Sequence, residues 1–157
     1  MPRVILVEQP AYEHTYTMMV RVTDINHAGH LGNEALLGLV HEARTHFLKV
    51  LNFDTIVSSQ QPVGLIIADM AVNFKAEGFA HEDVSVESQI DELGQKSFRL
   101  FHRIRRRQQV IALVETGMVA YSYSDRRVTE LPVEFLSALQ EYRVKLNNIK
   151  ERTENPA

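Results

Sequence analysis

The chain has 157 residues, 45% of them hydrophobic, and a formal net charge of −3. That length and apolar content suit one compact domain, and so small a charge gives no global field for nucleic acid or an anionic membrane. With no cysteine at all, disulfides, a thiolate nucleophile and sulfur-bound zinc are excluded.

The opening stretch MPRVILVEQP has an apolar run too short for a signal peptide or a membrane span, and no small-residue cleavage site follows. The expectation is a soluble, cytoplasmic protein. Residues 12–23 alternate: Tyr12, Tyr16, Met18, Val20 and Val22 share one parity, and Glu13, Thr15, Thr17, Arg21 and Thr23 the other. This pattern predicts a half-buried strand. A connection then crowds Asp24, Asn26, His27, Gly29, His30, Gly32, Asn33 and Glu34 together. After it, Leu36, Leu39, Val40, Ala43 and Phe47 fall at helical spacing, which predicts a helix over 32–50 with one apolar stripe.

A loop to Gln61 leads into PVGLIIADMAVNFKA, apolar on both parities. A strand over 61–75 covered on both faces reads this way. Residues 83–92 alternate again, and 96–105 and 109–124 predict two more strands hinged at Arg106-Arg107-Gln108. Pro132 opens a second helix with Phe135, Leu139, Tyr142, Leu146 and Ile149 on one stripe. The polar end, 151–157, reads as a frayed tail after a single domain over 1–150. Consecutive strands with short links argue for an antiparallel sheet, and the early helix must bury its stripe against it. The fold class is α+β, an antiparallel sheet of about five strands curled around a long central helix, plus a C-terminal helix.

A strand ending in Asp24-x-Asn26, then Gly29-His30, then Asn33, then a helix carrying Glu42-Ala43-Arg44, resembles the hotdog-fold acyl-CoA thioesterases of the 4-hydroxybenzoyl-CoA thioesterase type. The element order matches over roughly residues 12–125. The resemblance implies hydrolysis of a thioester, either an acyl-CoA or an acyl-carrier substrate. It also implies a homodimer or tetramer whose active sites lie between subunits. One departure matters. In many members the second acid of the Asp-x-Asp pair is the catalytic carboxylate, and here Asn26 stands there. An amide is no general base, though it can orient a water or donate to the thioester oxygen.

Hydrolysis of a thioester needs an attacking water or carboxylate, a base, and donors for the charge growing on oxygen. A helix start offers unpaired N–H groups and a positive dipole end, and Gly29 and Gly32 allow close backbone approach. Four residues are candidates for the base. His30 belongs to the residue type that titrates near neutral pH. Glu34 lies in the first helical turn and Glu42 two turns on. Asp69 stands inside LIIADMAV, where a lone carboxylate is costly to bury. In the resemblance, its strand pairs with its own copy, which would bring Asp69 near the partner's Asn26–His30 loop.

Plainer readings stand beside these. Asp24 caps a turn, Asn26 or Asn33 is a turn or N-cap residue, and Glu34 complements the helix dipole. Glu42 and Arg44 form an ion pair or a helix-end contact, and Asp69 is satisfied by backbone N–H groups. His27, His30, His41 and His46 match no metal spacing, so neither metal nor cofactor is expected. Arg103, Arg105, Arg106 and Arg107 either hold coenzyme A phosphates or form a solvated turn. Gly38, mid-helix, costs about 1 kcal/mol against alanine and suggests close passage of a backbone or an acyl chain. A hydratase on the same fold, and a non-catalytic acyl-CoA binding module, are the alternatives to hydrolysis.

Overall fold

A computed structural model of the chain describes residues 3–53 and 62–154. Gln61 of the expected strand, most of the loop before it and residues 155–157 of the expected tail lie outside the described residues. The strands are β1 (His14–Met19), β2 (Val63–Phe74), β3 (Asp83–Asp91), β4 (Ser97–Arg106), β5 (Gln109–Ser122) and a short β6 (Arg127–Val128). The helices are α1 (Asn33–Val50) and α2 (Val133–Glu154). One antiparallel sheet takes all six strands in the order β1-β3-β4-β5-β2, with β6 paired to β5. Only β6 had no counterpart in the alternating pattern, because two residues carry no period.

The inner face of the sheet follows parity. Val84 and Val86 of β3, Phe98, Leu100 and Ile104 of β4, and Ala112, Val114 and Met118 of β5 are all buried. The α1 stripe lies on them: Leu36, Leu39, Val40, Ala43 and Phe47 are each at most 5% exposed. Each of the larger of these side chains contributes roughly 1.5–3 kcal/mol by leaving water. The core has two lobes along α1. One gathers Val20, Leu36, Leu39, Val40 and Ile111. The other gathers Phe47, Phe98, Leu100, Phe135 and Leu139, so α2 closes that end.

The structure corrects several expectations. The first strand ends at Met19, and Val22–Asp24 is a 3-10 turn. The turn breaks the alternation, leaving Val20 buried and Val22 64% exposed. β2 is not covered on both faces. It is the sheet edge, and Ile67, Met70 and Phe74 are 43%, 37% and 55% exposed. A bulge between Ile67 and Asp69 shifts its register against β5. One extra residue exchanges the two faces downstream. Asp69 therefore sits opposite Gly117, beside Arg99, on the face away from α1. Far from buried, it is 59% exposed and lies 2.7 Å from Arg99. On α2, Ile149 belongs to the expected stripe yet is 61% exposed. Helix continues to Glu154, into the stretch read as a tail.

Candidate active site

The connection between β1 and α1 is a tight, internally bonded loop. Asn26 and His30 bond through the Asn26 N–H and the His30 carbonyl at 2.9 Å, and the Gly29 N–H reaches the Asn26 carbonyl at 3.0 Å. Gly29 has φ +86°, a conformation that side-chain-bearing residues rarely adopt. Asp24 is 5% exposed and closes the preceding turn. The Arg21 backbone N–H and guanidinium both donate to its carboxylate, at 2.8 and 2.9 Å. The Arg21 side chain, followed by the backbone bond, holds the Asp24 carboxyl below the usual carboxylate range. The turn reading of Asp24 is the one the geometry supports.

The Asn26 Oδ1 accepts the Ala28 N–H at 2.9 Å. Its oxygen is thereby committed, and the NH2 end remains as a donor. The N-cap of α1 is Gly32, not Asn33, and no side chain caps this helix start. The first-turn amides therefore stay open. The Gly32 N–H is held by the Asp24 carbonyl at 2.9 Å, which locks the helix start to the turn.

The far end of β2 packs against this loop. The Lys75 and Ala76 N–H groups both donate to the Ile111 carbonyl, at 2.8 and 3.2 Å, and the Leu31 N–H donates to the Gly78 carbonyl at 2.8 Å. A Cβ on Gly78 would press on Leu31 at 3.3 Å, so glycine permits this approach. Between the two segments lies a cleft of about 320 Å³. Asn26, His30, Asn33, Lys75 and Glu77 supply its polar lining, and Leu31, Leu36, Phe74 and Ile111 its apolar walls.

His30 is half-buried, and its Nδ1 lies 3.3 Å from the Leu31 carbonyl. A carbonyl only accepts, so Nδ1 carries the proton and Nε2 is left as an acceptor. That Nε2 lies 3.9 Å from the Glu77 carboxylate. Glu77 carried no signal in the sequence: a single acid in Lys-Ala-Glu-Gly, 47 positions from His30, shows no period and no motif.

Of the expected residues, Asn26, His30 and Asn33 share the cleft, and Gly29 and Gly32 shape its loop. Glu34 and Glu42 are exposed on α1 and do not line it. Glu42 lies close enough to Arg21 to act on its charge. Asp69 stands five residues up β2 from Phe74, roughly 17 Å along a strand. It pairs with Arg99, which also bonds Glu115 at 2.7 Å. Arg44 is neither ion-paired to Glu42 among the described residues nor at a helix end. It is 6% exposed and its guanidinium contacts the His41 Nδ1 at 2.5 Å. Arg103 and Arg106 are engaged by carboxylates: Arg103 meets Glu87 and Glu8, each at 2.6 Å, and Arg106 meets Glu82 at 3.0 Å. Arg105 meets the Gln108 side chain at 2.6 Å. Among the described residues a Cβ at Gly38 would meet nothing within 4 Å, so none of their backbone passes close there.

Residues 20–139 match the family model described as the thioesterase-like superfamily. Among curated proteins, none matches the chain in sequence. Solved structures are similar throughout the fold. A gentisyl-coenzyme A thioesterase is 27% identical, with a TM-score of 0.72 over 80% of this chain and 98% of its own. A 1,4-dihydroxy-2-naphthoyl-CoA thioesterase from Synechocystis is 21% identical, with a TM-score of 0.73 over 79% of this chain and 93% of its own. A DHNA-CoA thioesterase from Staphylococcus aureus is 14% identical, with a TM-score of 0.71 over 88% and 93%. No described helix is long and apolar enough to cross a membrane.

Proposed function

We propose, for a chain that belongs to the thioesterase-like superfamily and is a thioester hydrolase, that its substrate is an acyl-CoA bound in the Asn26–His30–Asn33 cleft. The observation that carries this reading is the cleft itself: an amide donor, an imidazole acceptor and an uncapped helix start meet beside apolar walls. The thioester oxygen lies toward the Asn26 NH2 and the open amides of Asn33 and Glu34 in the first helical turn. One such donor is worth about 3–4 kcal/mol of transition-state stabilisation. His30 Nε2 takes the proton of the attacking water. Gly29 and Gly32 let the loop backbone approach, Asn33 lines the cleft, and Glu34 steadies the helix start through the dipole. The apolar walls receive the acyl group, and the solved structures named for aromatic acyl-CoA substrates support that placement.

The working form in this reading is a homodimer, or a tetramer built from two of them. The open edge of β2 supports it, since its backbone is unpaired on one side and Ile67, Met70 and Phe74 are exposed along it. Glu42 and Asp69 contribute only in that assembled form, as neither lines the cleft of its own protomer. Residues 1–150 act as one domain and 151–157 as a polar extension, which the single sheet supports. A chain without cysteine suits the cytoplasm, where disulfides do not persist.

A panel of aliphatic and aromatic acyl-CoA thioesters, with a thiol-detecting reagent, tests the substrate class. Free coenzyme A appearing with saturable kinetics is the expected result. Saturable binding without thiol release, or water adding to an enoyl-CoA instead, would defeat the reading.

A further inference from the structure

We propose that Glu77 is a catalytic residue of this cleft: its carboxylate and the His30 imidazole together hold the water that attacks the thioester. The inference rests on the hydrolase reading above and adds to it the negative charge that the loop lacks at Asn26.

The geometry carries the assignment. The His30 Nε2 and Glu77 Oε1 stand 3.9 Å apart, too far for a direct hydrogen bond and close enough for one water to touch both. Both atoms are acceptors, since the Leu31 carbonyl claims the imidazole proton at Nδ1. A water between them donates one hydrogen to each, and its lone pairs are left facing the cleft. The other acids of the loop and helix are placed differently. Asp24 is bound to Arg21 and Asp69 to Arg99. Glu34 and Glu42 do not line the cleft. Glu77 has no lysine or arginine within 4 Å among the described residues. Its position is built, not incidental, because the bond from Leu31 to Gly78 and the two bonds onto Ile111 fix the backbone on either side of it.

The reaction balances within this arrangement. The water oxygen forms a bond to the thioester carbon as one of its hydrogens passes to His30 Nε2. The resulting imidazolium lies beside the Glu77 carboxylate, which stabilises it. The tetrahedral intermediate then breaks its carbon–sulfur bond, and Nε2–H returns the proton to the departing thiolate. One water is consumed, and one carboxylic acid and one thiol leave.

Glu77→Gln, Glu77→Asp and the unaltered protein are compared on the acyl-CoA that the unaltered protein turns over fastest, with kcat and KM resolved from pH 5 to 9. Glu77→Gln is expected to lower kcat about a hundredfold, at the low end of what a positioned acid or base supplies. KM should stay within about threefold, because the loss falls on the transition state and not on substrate binding. Glu77→Asp should recover part of kcat. Circular dichroism guards against misfolding, which an exposed side chain gives little reason to expect. An active unaltered protein whose Glu77→Gln form keeps kcat overturns the role of Glu77 and leaves the hydrolase reading standing. A change in KM alone overturns it too, since that would mark Glu77 as a binding group. An unaltered protein with no turnover on any thioester overturns both readings together.

Discussion

His14 Nε2 and His46 Nδ1 lie 3.1 Å apart, joining β1 to α1. The direction of the bond follows from its neighbours. Tyr142 donates its hydroxyl to the Glu13 carbonyl at 2.8 Å and so accepts from His14 Nδ1 at 3.3 Å. His14 Nε2 is then an acceptor, and His46 Nδ1 donates to it. The relay ties β1, α1 and α2 together with His14 neutral. Burial, and then His46, push the His14 pKa down to about 4. A second histidine, His102, is 1% exposed, and burial followed by Arg44 pushes it down to about 3.

Both histidines are therefore neutral when folded and protonate more readily when unfolded. A depressed folded pKa contributes stability that is whole above the unfolded value of about 6.5 and is lost as pH falls toward the folded values near 4 and 3. Thermal melts from about pH 8 to pH 4 should show a steady fall beginning near 6.5, with a slope approaching 1.4 kcal/mol per unit for the fully buried His102 and less for half-buried His14. His102→Gln should flatten that slope. A melting temperature that holds constant down to pH 4.5 would contradict the assignment.

Asn26 separates two roles, that of a turn former and that of a donor. Asn26→Asp keeps an oxygen for the Ala28 N–H but replaces the NH2 donor with negative charge. Asn26→Ala loses both. If the amide polarises the thioester, both should lower kcat by about a hundredfold, as loss of one oxyanion donor does. Full activity in Asn26→Asp would assign the residue to the turn alone.

The β2 edge makes a separate prediction. Met70→Lys places a charge on a side chain already 37% exposed, so the protomer should fold with little change in stability. Light scattering after gel filtration should report a smaller mass than for the unaltered protein, because a charge at an edge blocks strand pairing. An unchanged mass would move the interface elsewhere.

Asn73 anchors the N-terminal segment. Its side chain, 7% exposed, accepts the Leu6 N–H at 2.7 Å and donates to the Val4 carbonyl at 2.9 Å. Glu8 meets Arg103 at 2.6 Å and Tyr12 lies under the same guanidinium, 4.5 Å from ring centroid to carbon. Asn73→Ala should cost about 1–3 kcal/mol, since the buried Leu6 amide loses its partner. Faster hydrogen exchange at residues 4–8, ahead of any change in the sheet, is the expected signature. Uniform loosening of the whole domain would argue for a core role instead.

Period and composition alone determined most of the architecture. The α1 stripe, the β3–β5 alternation and the polar, glycine-rich loop before α1 are local features, and local features are written in neighbouring residues. Asn26, His30 and Asn33 share a cleft because they lie within eight positions on one turn. What period cannot record is a change of phase or a meeting of distant segments. The bulge beside Ala68 exchanged the faces of β2, and Asp69 went to Arg99 on the outer side. Glu77 reached His30 because β2 ends where α1 begins and Gly78 is small enough to let Leu31 bond it. The first depends on how β2 pairs with β5 and the second on how its end packs against the helix start, and packing of residues far apart in the chain is decided only when the tertiary structure forms.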